Sequence, residues 1–199
     1  MDELSLYRLF QDIISKSKMM NRFVTAPEYG VELNKDNLGE ILKDSLEGIS
    51  DGEKFPVCLM FPPVEILPDA DNAWSNFKIR MFFLAPPHTL DSATVNPDFG
   101  NNLSQHTIQE TWKDMRLCAV DFRKVFKVIT YRNPTLGIRD GQNMDVIERY
   151  SNVGNDKLAG IGISFEVSVF TDCKTKDYSD SDIINFKINT ENLHPHDEH

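Results

Sequence analysis

The segment NDKLAGIGISFEVSVF, residues 155–170, decides how the rest of the chain is read. Ile161, Ile163, Phe165, Val167 and Val169 alternate with Gly162, Ser164, Glu166 and Ser168. A period of two is that of a β-strand with one face turned to a core. The other face is small and polar, and it opens with Gly160 and Gly162 behind a polar turn. Glycine inside a strand marks a bulge or a place where something approaches closely. The pattern predicts a half-buried strand with a partner lying against its smooth side.

Working outward, the core face of that strand needs a helix. TIQETWKDMRLCAVDFRKVFKVI (residues 107–129) supplies the strongest helical period, with Ile108, Trp112, Met115, Ala119, Phe122, Phe126 and Ile129 at spacings of three and four. Thr107 and Glu110 have the spacing of a capping box at its start. The same stripe would suit a coiled-coil seam, but flanking strands favour packing on a sheet. FPVCLMF (55–61) is a short apolar run suited to a strand buried on both faces. NFKIRMFFLA (76–85) alternates, with Phe77, Ile79, Met81 and Phe83 on one side and Lys78 and Arg80 on the other. Residues 144–151 and 158–171, joined by NVGND, read as paired strands, and Asp140-Gly141 is a hairpin-turn signal.

Further helices are expected over 2–20, from Leu6, Phe10, Ile13 and Ile14, and over 35–49, from Leu38, Ile41, Leu42 and Leu46. Gly48 suits the end of the second, Asp51-Gly52 a turn, and 21–33 a broken extended segment. An apolar alternation at Ile184, Phe186 and Ile188 suggests an edge strand. The expectation is an α+β fold: a single mixed or antiparallel sheet, a long helix packed on it, and helices mainly on one face. Residues 1–172 form one domain, and 173–199 a C-terminal extension or arm.

Composition bounds the function. The 199 residues, 40% of them hydrophobic and 13 of them Phe, suit one packed domain. A net charge of −10 and a pI near 4.9 argue against tight wrapping of nucleic acid, which needs Lys and Arg to neutralise phosphates. Three cysteines without a CxxC spacing give no disulfide framework and read as buried thiols. MDELSLYRLF lacks the basic-then-apolar order of a signal peptide, and no apolar run approaches the length of a membrane span.

Motifs of catalysis are missing from the sequence. Gly160-Ile161-Gly162 begins a strand rather than a helix, and Phe165 stands where a dinucleotide fingerprint needs its third glycine. Asp69–Asn72 lacks the glycine and distal Glu of a calcium loop. His194, His196 and His199 lie in a charged tail without companion ligands, so no metal or cofactor is assigned. His88 and His106 bracket a long polar loop, 86–106, of a length usually tied to function. Trp74, an aromatic in a polar stretch, suits an interface anchor. Phe82 and Leu84 put apolar side chains on the face that Lys78 and Arg80 made polar.

FPVCLMFPP, FKIRMFFLA, the long helix and then NDKLAGIGISFEVSVF, after an N-terminal helix, follow an order that resembles the tail-terminator and head–tail joining (neck) proteins of tailed bacteriophages. In that family a polar D-x-L-A-G step introduces the terminal sheet strand, and here it is Asp156-Lys157-Leu158-Ala159-Gly160. The long loop 86–106 and the extension after 172 depart from it. The resemblance implies a non-enzymatic virion protein, assembled in the host cytoplasm. It would form a homo-oligomeric ring, hexamer or dodecamer, around the DNA channel. Its partners would be neighbouring tail, portal or neck proteins, with DNA passing without sequence-specific binding and no membrane involved. An adjacent subunit would then lie on the smooth side of strand 158–171. Trp74, Phe82, Leu84, His88, Gly160, Gly162, Ser164 and Glu166 become subunit-interface candidates. Leu193, Asp197 and Glu198 would anchor the arm on a neighbour. The alternative is a small α+β module that binds a ligand or peptide on the Gly/Ser face.

Overall fold

Apolar stripes on helices and strands alike are buried when helices pack against a sheet. The computed structural model describes residues 3–26, 35–66, 74–87, 103–138 and 147–170. In chain order the elements are α1 (Glu3–Ser15), β1 (Arg22–Thr25), α2 (Lys35–Ser45), the single turn α3 (Asp51–Lys54), β2 (Val57–Met60), β3 (Val64–Ile66), β4 (Trp74–Ala85), α4 (Leu103–Arg132), β5 (Leu136–Ile138), β6 (Glu148–Val153) and β7 (Leu158–Phe170). The strands form one mixed seven-stranded sheet in the order β1-β2-β4-β7-β5, with β3 paired to β4 and β6 to β7. Only β1 and β2 run parallel among the pairs. The chain is thus the α+β fold expected, with its long helix on the sheet.

The β4–β7 ladder is its spine. It runs without a register shift from Trp74↔Phe170 to Ala85↔Ala159. Period two then sorts the side chains. Phe77, Ile79, Met81 and Phe83 join Ile161, Ile163, Phe165, Val167 and Val169 in one core with α1 and α4. Phe10, Phe122, Phe126 and Phe165 form its aromatic centre, with ring centroids 5.2 to 6.1 Å apart. Met115, Ala119, Phe122 and Phe126 pack there as their spacing predicts. Trp112 is partly buried against them, and Ile108 is half-buried.

The second core lies on the opposite face. Leu38 and Leu42 of α2, with Leu46 in the turn that follows it, cover Val57, Leu59, Phe61, Phe82, Leu84 and Leu158. The helices are therefore split between both faces, where the sequence placed them mainly on one. The cause is β2. Its Cys58 and Met60 join the first core while Val57 and Leu59 join the second, so the run needs cover on both sides. Other boundaries moved as well. α4 starts a turn before Thr107, so Thr107 and Glu110 sit inside the helix rather than capping it, and Glu110 pairs with Lys113 at 3.3 Å. Asp51-Gly52 opens α3 instead of a simple turn. Asp140-Gly141 and the Ile184–Ile188 alternation lie outside the described residues.

Candidate functional site

The smooth side of β7 is divided in two. At its N-terminal end the close partner is the chain itself. A Cβ on Gly162 would stand 2.9 Å from the Tyr150 ring and 3.0 Å from that of Phe82, and one on Gly160 would run into the Phe83 carbonyl. Those rings pack edge-to-face, with centroids 5.2 Å apart. α2 closes over this end, and it comes down on backbone: a Cβ on Gly39 would lie 2.5 Å from the Cα of Gly154, in the turn before β7. Phe82 and Leu84 are 0% exposed, and Gly160 and Gly162 are buried too. These four expected interface residues are interior residues, sealed by α2 and Tyr150, and present no surface to a second subunit.

The C-terminal end of the same face is open to half-buried. Its floor is Trp74, Asn76, Lys78 and Arg80 on β4 beside Ser164, Glu166, Ser168 and Phe170 on β7. Of the residues that the sequence singled out, Trp74, Ser164 and Glu166 meet here. Trp74 stacks edge-on against Phe170 at 5.3 Å. Its ring also reaches to 3.9 Å from where a Cβ of Gly137 would be, so it leans over β7 towards β5. Ser168 Oγ donates to Asn76 Oδ1 at 2.6 Å, and Lys78 faces Glu166 across the ladder. Between the two halves stands a hydrogen-bonded trio that sequence reasoning missed. Arg80 Nη2 donates to Glu148 Oε2 at 3.3 Å, and the Tyr150 hydroxyl donates to the same oxygen. The Arg80 guanidinium also lies 5.4 Å from the Phe82 ring centre. Burial, and then the hydrogen bond and charge of Glu148, push the Tyr150 hydroxyl up, with Arg80 opposing, so it stays a donor near neutral pH. The alternation at 148–150 held a signal for this trio, since Glu148 and Tyr150 share a face.

Chemically, the open floor offers hydroxyl, amide and paired charges flanked by an aromatic edge, a surface for hydrogen bonding to another chain. Cys58 and Cys118 are free and buried. Burial, with Asp114 and Asp121 adding to it, pushes the Cys118 thiol up to about 11, away from thiolate chemistry at neutral pH. Among the described residues no three His, Cys, Asp or Glu side chains gather to hold a metal, and no helix is long and apolar enough to cross a membrane. His88, Leu193, Asp197 and Glu198 lie outside the described residues. Compared with protein-family models, with curated proteins and with solved structures, the chain matches none.

Proposed function

We propose that this chain is a structural virion protein that assembles into a ring at the neck or the top of the tail of a bacteriophage, around the DNA channel. The observation that carries the reading is the order of elements it shares with the resemblance. An N-terminal helix, the antiparallel strands β2 and β4, a thirty-residue helix and then strand β6 lead through Asp156-Lys157-Leu158-Ala159-Gly160 into the interior strand β7. The excess of acidic side chains supports it, because a negative channel wall repels DNA and lets it slide. In this reading the copies number six or twelve, and the immediate partners are tail, portal or neck proteins. Residues 86–106 and the 173–199 arm make contacts between subunits or to those neighbours, with Leu193, Asp197 and Glu198 at the arm's docking point. Trp74, Ser164 and Glu166 remain the surface candidates on the sheet. The protein performs no catalysis and carries no cofactor.

Light scattering over a concentration series tests this directly. A closed ring gives one discrete oligomeric mass, and a protein that is monomeric alone and with every tail and neck component of its virion is not one. A second reading, a binding module for an extended peptide, is favoured by one observation: the open floor from Trp74 to Arg80 is polar and hydrogen-bonding rather than apolar. A monomer that retains a peptide on that floor would decide for it.

A further inference from the structure

Head-to-tail closure requires two unlike surfaces on one subunit. We propose that they are the outer faces of α4 and α2, with α4 of one copy docking on α2 of the next. The inference rests on the reading above that the chain self-assembles, and it names the contact.

α4 carries six Lys and Arg against three Asp and Glu, in a chain of net charge −10. Its core stripe is turned to the sheet, which leaves Leu117, Val128 and Tyr131 outward and 48%, 39% and 92% exposed. Their spacings of eleven and three keep them on one side of the helix, along about 21 Å of its length. Arg116 and Lys127 flank that row, both exposed and both without an ion pair among the described residues. An exposed aromatic and aliphatic row bordered by unpaired cations is the composition of an interface core with a charged rim.

The complement stands on the other side of the molecule. Glu40, Asp44 and Glu47 recur at spacings of four and three along α2 and the turn that ends it. All are exposed, and none has a cationic partner among the described residues; Lys43 is the only exposed cation on this helix between them. α2 and α4 cover opposite faces of the sheet. The two patches on one chain therefore cannot reach each other, and each remains available to another copy. A contact between opposite sides is heterologous, the kind that propagates into a ring. Charge complementarity selects a second copy as the occupant, since the acidic patch it needs is present on every copy.

Sedimentation velocity and mass photometry on the full chain test this with paired charge reversals, Arg116→Glu/Lys127→Glu on α4 and Glu40→Lys/Asp44→Lys on α2. All four sites are solvent-exposed, so both variants should keep the wild-type melting temperature. Each alone should raise the dissociation constant at least about tenfold and lose most of its salt dependence. An equimolar mixture of the two should restore assembly, because each acidic patch then meets a basic one on the other variant. Leu117→Ser, which leaves charge unchanged, should weaken assembly as well. Wild-type protein that assembles while both reversed variants assemble equally well overturns this contact and leaves the ring reading standing. Weakening by the α4 reversal without rescue in the mixture overturns α2 as the partner surface. Wild-type protein that stays monomeric at every concentration, both alone and with the tail and neck components of its virion, overturns the ring reading, and this inference with it.

Discussion

Replacing Phe122 with Ala tests the packing of α4 on β7 most directly. Phe122 is 3% exposed and sits among Phe10, Phe83, Phe126 and Phe165, with centroids 5.4 to 6.1 Å away. Fully burying such a side chain is worth about 1.5–3 kcal/mol in transfer alone. Aromatic pair contacts add about 0.5–1.5 kcal/mol, and the unfilled cavity adds more. Against this, Ala is the better helix former by roughly half a kcal/mol. The net loss should be about 3–4 kcal/mol, a large part of a stability of about 5–15 kcal/mol. For a chain of this size that is a fall in Tm of about 6–16 °C. Urea titration followed by far-UV circular dichroism measures the free energy. Val128→Ala, on the outward side of the same helix, is the control and should change stability by less than about 1 kcal/mol. A loss below about 1 kcal/mol for Phe122→Ala would refute the assignment of this stripe to the core.

Gly162→Val should destabilise by about 1–3 kcal/mol, because Tyr150 and Phe82 fill the space above the glycine; unchanged urea stability would mean that they do not. Trp112→Phe removes the 2.6 Å hydrogen bond from Trp112 Nε1 to the Tyr150 carbonyl, at a cost of about 1 kcal/mol, read in the same titration. Stability should also fall at alkaline pH. Burial raises Cys58, and raises Cys118 from 9.0 to about 11, so the folded state holds protons that the unfolded chain has released. The Cys118 contribution is complete below pH 9.0 and is lost as pH rises through about 11, and Cys58 acts in the same direction; Cys118→Ala should flatten that decline, and an unaltered pH profile would contradict it.

Long, strongly periodic elements were legible in the sequence. Alternation located β4 and β7, and the stripe from Met115 to Phe126 located the core face of α4. β3 and β5, three residues each, are too short for any period to register. The side of the sheet taken by α2 was the instructive miss. Leu38, Leu42 and Leu46 state that the helix must cover something, but not which face. That information lay in VCLM, whose unbroken apolar run demands cover on both sides. Half of the glycine puzzle was legible too. Gly160 and Gly162 do mark a close approach, yet period two cannot distinguish a neighbouring subunit from Tyr150 of the adjacent strand. The meeting of Gly39 with Gly154 joins positions more than a hundred residues apart and leaves no local trace.

The place of β7 in the sheet has a consequence for how the chain comes into being. It is the last described strand to leave the ribosome, and it stands between β4 on one side and β5 and β6 on the other. Until it emerges, α4 can form its local hydrogen bonds, but its phenylalanines lack the β7 side chains they pack against, Phe165 among them. β4 meanwhile stands as an open edge from Trp74 to Ala85, whose partner residues lie about seventy to a hundred positions downstream. Closing loops of that length is slow, and unpaired apolar strands invite association with other nascent chains. Cooperative folding of this domain therefore waits for β7 to be synthesised, and the free edge of β4 stays unpaired until then.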